Sequence, residues 1–219
     1  QETVEKALTK TLETKIKVIG SGRTDTGVNA LGQSGNFYSN IEIKNTFKFL
    51  STLNFYLTEH DISVLKLKRR ELKFHSRHSA KKRQYEYIII NRCSKPTIDQ
   101  NTSWWVKKKL DLKKMKKAAS FFLGTHDFSA LRSSSCVAKS PIRTISKAKL
   151  KKKADKIFIT FESKSFLQTQ VRSMVGCLKY VGENKWSVDK IKKILKSRSR
   201  RDCAPPAPAK GLFLKKISY

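Results

Sequence analysis

IRTISKAKLK at residues 142–151 and IFITFE at 157–162, followed by FLQTQVRSMVGCLKYV at 166–181, decide the fold class. Alternating and β-branched residues in the first two segments predict an antiparallel pair of strands, and the third suits a buried helix. Working outward, the same grammar recurs. Val4, Ala7, Leu8 and Leu12 at helical spacing predict a helix over Glu2 to Glu13. Ile16 to Gly20 and Gln33 to Ser39 read as strands, with a helix from about Asn45 to Thr58. The alternation in Ile62 to Lys68 predicts a half-exposed strand, and the aromatic, β-branched run Tyr85 to Ile90 a stronger one. Leu112, Met115, Ala119, Phe122 and Leu123 build an amphipathic helix ending at Gly124, and Val188 to Leu195 a short one. Ala204 to Ala209, with three prolines, reads as an extended connector into a strand at Leu212 to Ile217. Helices thus alternate with hairpin-like strand pairs, which predicts an α+β fold rather than a doubly wound parallel sheet.

The chain has 219 residues, 38% of them hydrophobic, enough for a folded core in one large or two small domains. Its net charge of +31 is spread over nearly every segment. A field of that sign attracts polyanions, nucleic acid first among them, although lysine excess also accompanies AT-rich codon usage. Cys93, Cys136, Cys177 and Cys203 form no C-x-x-C pair, so a reduced setting is expected in place of a disulfide or metal framework. The four histidines are scattered and predict no metal site. No signal peptide or membrane-length apolar run is visible, so a cytoplasmic protein without a membrane partner is expected.

Gly22-Arg23-Thr24-Asp25-Thr26-Gly27-Val28-Asn29-Ala30 follows the strand at Ile16 to Gly20 and sets an arginine and a carboxylate between glycines. Asp25 there is either an anionic nucleophile or base with Arg23 beside it, or simply a turn-shaping residue. By itself the spacing favours the turn. His75 to Arg83 followed by Tyr85-Glu86-Tyr87 interleaves cations with aromatics. Arg77, Lys82 and Arg83 are thus candidate phosphate contacts and Tyr85 a base-stacking surface, set against a plain strand edge with both tyrosines in the core. Arg132 and Arg143, flanking the Gly124-Thr125-His126-Asp127-Phe128 turn, are further RNA-contact candidates. His126 and Asp127 themselves read as a helix C-cap and turn. Arg172, alone amid apolar residues on its helix, needs a carboxylate partner; Asp25, Glu162 and Asp127 all satisfy that requirement. Leu212 reads as core.

GRTDTGVNALGQ (22–33), FHSRHSAKKRQYEYIIIN (74–91), FLGTHDFSAL (122–131), PIRTI (141–145), FLQTQVRSMVGCLKYVG (166–182) and APAKGLFLKKISY (207–219) resemble, in this order, the motifs of the tRNA pseudouridine synthase A family. The resemblance implies an isomerase that converts uridine to pseudouridine in the anticodon stem-loop of tRNA, without cofactor or metal. It implies Asp25 as the catalytic aspartate, Arg23 as the basic residue beside it and Arg172 as its pairing arginine. Tyr85 matches the tyrosine stacking on the target base, its hydroxyl a candidate base at C5, and Leu212 a leucine of the base pocket. The family fold implies two similar ferredoxin-like α+β halves meeting over a basic cleft, here 1–70 and 110–219 with connecting strands at 71–109, in a homodimer.

That family opens with a strand and a Tyr-Asp-Gly-type turn that do not precede Glu2. Either the chain is a piece of a longer protein, or the first sheet lacks a strand. Asn29 stands where the family has histidine, and Gln170 where it has an apolar residue. The alternatives are a catalytically inactive RNA-binding protein or tRNA chaperone on the same scaffold, and a basic structural protein. Binding alone requires neither Asp25 nor Arg172 on its apolar helix.

Overall fold

The computed structural model describes all residues, 1–219. They form two compact units: Gln1–Arg23 with Ser34–Ala80, and Thr24–Gln33 with Lys81–Tyr219.

The first unit is a small helical core. Helix α1 (Glu2–Leu12) buries Ala7, Leu8 and Leu12, and helix α2 (Thr46–Phe55) buries Phe49 and Leu53. Ile16 and Leu57 complete the core, with Phe37, Val64 and Leu67 packed around it. Asn45 caps α2 by accepting a hydrogen bond from the Lys48 amide, which fixes where that helix begins. The two expected strands shrink to a pair of residues each, Ile19–Gly20 antiparallel to Gly35–Asn36.

The alternating stretch Ile62 to Lys68 forms no strand at all. The Asn54 side chain accounts for this. Its amide donates to the Val64 carbonyl at 2.9 Å and its oxygen accepts from the Val64 amide at 2.8 Å. A side chain thereby takes the two backbone groups that a neighbouring strand would have bonded.

The second unit is built on a seven-stranded sheet. Its long strands are β1 (Lys82–Ile90), β2 (Gly124–Asp127), β3 (Ile142–Lys153), β4 (Lys156–Ser163) and β5 (Leu212–Ser218). The order is Asn29–Ala30, β5, β1, β4, β3, β2, with Trp104–Trp105 beside β1. Pairing is antiparallel except at the two dipeptide strands, which run parallel to β5 and β1. The architecture is thus mixed α+β on a mostly antiparallel sheet, as the alternation of helices and hairpins predicts.

Strand period sets the core. Tyr85, Tyr87 and Ile89 on β1 stand opposite Phe161, Ile159 and Ile157 on β4, and all six are buried. Helix α3 (Leu112–Ser120) packs on β3 and on helix α4 (Gln170–Gly182). Helix α5 (Lys190–Ser197) buries Ile191 and Ile194. The extended Pro-rich segment 204–208 then runs along α4 at very short range. A Cβ on Gly176 would lie 2.1 Å from the Pro205 carbonyl oxygen. Backbone cannot yield there, so Gly176→Ala should cost about 3 kcal/mol of stability. A thermal melt reads this as a drop of several degrees. Gly182→Ala should cost less, because the nearest obstacle to its Cβ is the flexible end of Met115.

Candidate active site

The segment Thr24–Gln33 is docked onto β5 and the chain leading into it. Asn29–Ala30 pairs in parallel with Phe213 and Leu214, and the Leu31 amide donates to the Leu214 carbonyl. The Asn29 side chain donates to the Lys210 carbonyl at 2.9 Å. Gly27, at φ +79°, closes the turn that starts at Asp25, where the Val28 amide donates back to the Asp25 carbonyl. This turn lifts the Asp25 side chain out of the ladder and toward α4.

Arg172 Nη1 donates to Asp25 Oδ2 at 2.8 Å. The two side chains are 19% and 23% exposed, so the pair is largely but not wholly withdrawn from water. Arg172 is held from its other side as well. Its Nε donates to the Ala207 carbonyl at 2.7 Å, while the Ala207 amide donates to the Arg172 carbonyl at 3.0 Å. The bonds to Asp25 and to the Ala207 carbonyl use the guanidinium as a rigid fork, which a lysine could not reproduce. Of the three carboxylates open to Arg172 on sequence grounds, the other two are taken: Glu162 pairs with Lys82 and Asp127 with Arg198.

Thr169 approaches the same carboxylate, its Oγ1 standing 3.5 Å from Asp25 Oδ2. It sits just ahead of α4 with φ +66°, a left-handed conformation that β-branched residues rarely adopt. Strain of this kind accumulates where the surrounding structure fixes a functional geometry.

Tyr85 is buried on β1, next to an irregularity in its pairing with β5, with its ring edge-on to Phe166 at 5.3 Å. Burial pushes its phenol above the usual range; Arg83 opposes that shift and Asp25 adds to it. Asp25 is therefore within electrostatic reach of the Tyr85 hydroxyl. Leu212 is buried at the start of β5 opposite Tyr87, two residues from the Leu214 that faces Tyr85. Tyr87 underpins this corner. Its hydroxyl donates to the Pro208 carbonyl at 2.7 Å, and Gly211 leaves room for its ring, which a Cβ would meet at 2.7 Å.

The remaining candidates are more dispersed. Arg23 and Arg77 are exposed residues of the first unit. In the second, Lys82 is exposed and paired with Glu162, while Arg83 is buried and donates to the Lys164 carbonyl. Arg132 follows the short turn Ser129–Leu131 and is half-buried. Arg143 Nη1 donates to the Ser140 and Ile142 carbonyls, securing the start of its own strand. His126 and Asp127 lie on strand β2, opposite Arg143 and Ile142, and not in the helix cap and turn expected of them. His126 contacts the Leu123 carbonyl and Asp127 accepts from the Ser129 amide where the strand ends.

Sequence reasoning missed Thr169, Phe166, Ala207 and Pro208. Only the proline run carried a signal for the last two. Pro205, Pro206 and Pro208 have no amide hydrogen, so the segment cannot join a ladder and its carbonyls are left for side-chain donors.

A family model described as tRNA pseudouridine synthase matches residues 118–219, the part that supplies Arg172 and Leu212. The tRNA pseudouridine synthase A of Pelagibacter ubique is 52% identical over 219 residues, covering 100% of this chain and 89% of the relative. Those of Hyphomonas neptunium and Caulobacter vibrioides are 42% and 38% identical, covering 93% and 100% of this chain and 82% and 88% of the relatives. The chain belongs to the tRNA pseudouridine synthase A family. As a member of it, the chain carries the Asp25–Arg172 pair on the strand-and-helix frame just described.

Proposed function

We propose that the chain isomerises uridine to pseudouridine in tRNA, with Asp25 as the covalent nucleophile and Arg172 as the group that orients it. The observation that carries the reading is the 2.8 Å ion pair between Asp25 and an arginine whose other face is fixed by Ala207. A purely structural ion pair needs neither the second anchor nor a buried tyrosine within reach of the same carboxylate.

The reaction breaks the N1–C1′ bond, turns the uracil and rejoins it through C5. One proton leaves C5 and one is gained at N1, so no net acid or base is consumed. The Asp25 carboxylate can attack C1′, displacing the ring through N1, and be displaced in turn when C5 bonds to C1′. Or it can add to C6, stay there while the N1–C1′ bond breaks and C5 bonds to C1′, and leave by elimination as C5 loses its proton. The target nucleotide has to leave its stack, costing a few kcal/mol, and the face of Tyr85 offsets part of that. Its phenol, kept protonated by burial, serves as the base at C5 by giving its own proton to N1 of the released ring and then taking one from C5. Leu212 contributes apolar wall. Arg23 is the basic residue beside the nucleophile that supports it. Arg77, Lys82, Arg132 and Arg143 supply positive charge for phosphates, to which Arg83, buried against the Lys164 carbonyl, adds only at a distance.

The finer features of the family belong to the same proposal: action on the anticodon stem-loop, two ferredoxin-like halves at 1–70 and 110–219 joined by 71–109, assembly as a homodimer, and a cytoplasmic location. No helix is long and apolar enough to cross a membrane. The test is incubation with an unmodified tRNA transcript followed by mapping of pseudouridine. Conversion of anticodon-stem-loop uridines is expected. Conversion elsewhere in the tRNA overturns the target site, and tRNA bound without conversion points to the RNA-binding alternative.

A further inference from the structure

The isomerisation uses no thiol, yet two of the four cysteines face each other beside the arginine anchor. Cys177 lies on α4 beyond Arg172 and is fully buried. Cys203 is partly exposed, at the end of the short turn Arg200–Asp202 and the start of the Pro-rich segment. Their sulfurs are 3.5 Å apart. Two contacts on the same two segments keep them together. Gly176 presses its backbone against Pro205, and Arg172 exchanges two hydrogen bonds with Ala207.

The two thiols are not equivalent. The hydrogen bond shared with Cys177, together with the Arg200 guanidinium and the Ser173 hydroxyl, favours the Cys203 thiolate, so its pKa falls below the usual thiol range despite burial. Cys177, facing that thiolate and cut off from water, is pushed up and keeps its proton. The more acidic thiol thus belongs to the less buried of the two residues.

We propose that Cys177 and Cys203 form a peroxide-sensitive dithiol that closes reversibly into a disulfide, fastening α4 to the segment that holds Arg172. The Cys203 thiolate attacks one oxygen of a hydroperoxide. The O–O bond breaks, Cys203 becomes a sulfenic acid, and the departing hydroxide or alkoxide takes up a proton. The Cys177 sulfur then attacks the Cys203 sulfur and expels hydroxide, which leaves as water with the Cys177 proton. With hydrogen peroxide, two thiols and one oxidant give one disulfide and two waters; the sulfurs lose two electrons and the peroxide gains them. Closing the bond brings the sulfurs from 3.5 Å to about 2.05 Å, a shift of about 1.5 Å. A thiol reductant reopens it. Formation of the bond does not depend on Asp25 being the nucleophile.

The full chain, first reduced, is treated with hydrogen peroxide and mapped by alkylation, proteolysis and mass spectrometry without reductant. The expected result is a fall from four alkylatable thiols to two, a Cys177–Cys203 cross-linked peptide, and a melting temperature raised by several degrees that reductant reverses. Cys177→Ser should instead leave a sulfenic acid at Cys203 that dimedone traps, and Cys203→Ser should leave Cys177 unreactive. A cross-link through Cys93 or Cys136, or four free thiols after treatment, overturns the proposal. So does cross-linked wild type that melts no higher than the reduced protein. The wild-type map decides the matter even if either variant folds poorly.

Discussion

Asp25→Asn is expected to abolish pseudouridine formation while tRNA binding persists. Asparagine keeps the shape of the side chain and an oxygen that can still accept from Arg172 Nη1, so the turn and its docking on β5 survive. What is lost is the anionic oxygen that forms the covalent bond. Removing a nucleophile from a covalent catalyst typically lowers turnover on the order of 10⁴-fold or more. The stability cost should stay near 1 kcal/mol, because the pair retains partial exposure at 19% and 23%. Single-turnover product formation and filter binding, run on the same preparation, separate the two readouts. Product made at an unchanged rate would remove Asp25 from the role of nucleophile.

Arg172→Met is the second large effect, and it acts on both rate and stability. The substitution keeps an unbranched apolar stem but removes two donors at once. Asp25 loses its 2.8 Å partner and is free to rotate away from the target base. A charge-orienting donor of this kind is worth about 10²–10³ in rate. The Ala207 carbonyl loses the donor it holds at 2.7 Å and is left unsatisfied where Ala207 itself is fully buried, a cost of about 1–3 kcal/mol. Arg172→Lys should recover only part of either loss, since one ammonium cannot span an acceptor on each side of a planar fork. A chemical step in Arg172→Met as fast as in wild type would show that Asp25 is oriented by something else.

Much of the second unit was legible from its pattern. β3 and β4 read as an antiparallel pair from period and length, and β1 as a strand from its aromatic and β-branched residues, while the place of β1 between β4 and β5 was not legible. The stretch Ile62 to Lys68 carries the same alternation and fails as a strand, because Asn54 satisfies Val64 from the side. Period reports which residues face a core. It does not report who bonds the backbone.

The site divides in the same way. Local chemistry raised Asp25 between glycines, Tyr85 in its strand and Arg172 alone on an apolar helix as candidates, although the spacing around Asp25 by itself favoured a plain turn and Tyr85 read equally well as core. Their resemblance to one family's ordered motifs tied them together. What local chemistry left open was the partner of Arg172. Asp25 lies 147 positions away, and only the sheet order that lays Asn29–Ala30 against β5 brings its turn to α4. Thr169 and Ala207 were invisible for a related reason: their roles rest on a backbone conformation and a carbonyl direction, neither of which is written in a side chain. The sequence by itself determined which residue types are present to do the chemistry, and that the fold is α+β. Only the tertiary structure decided which arginine donor meets which carboxylate, because pairing between distant segments is set by strand order and helix packing rather than by local spacing.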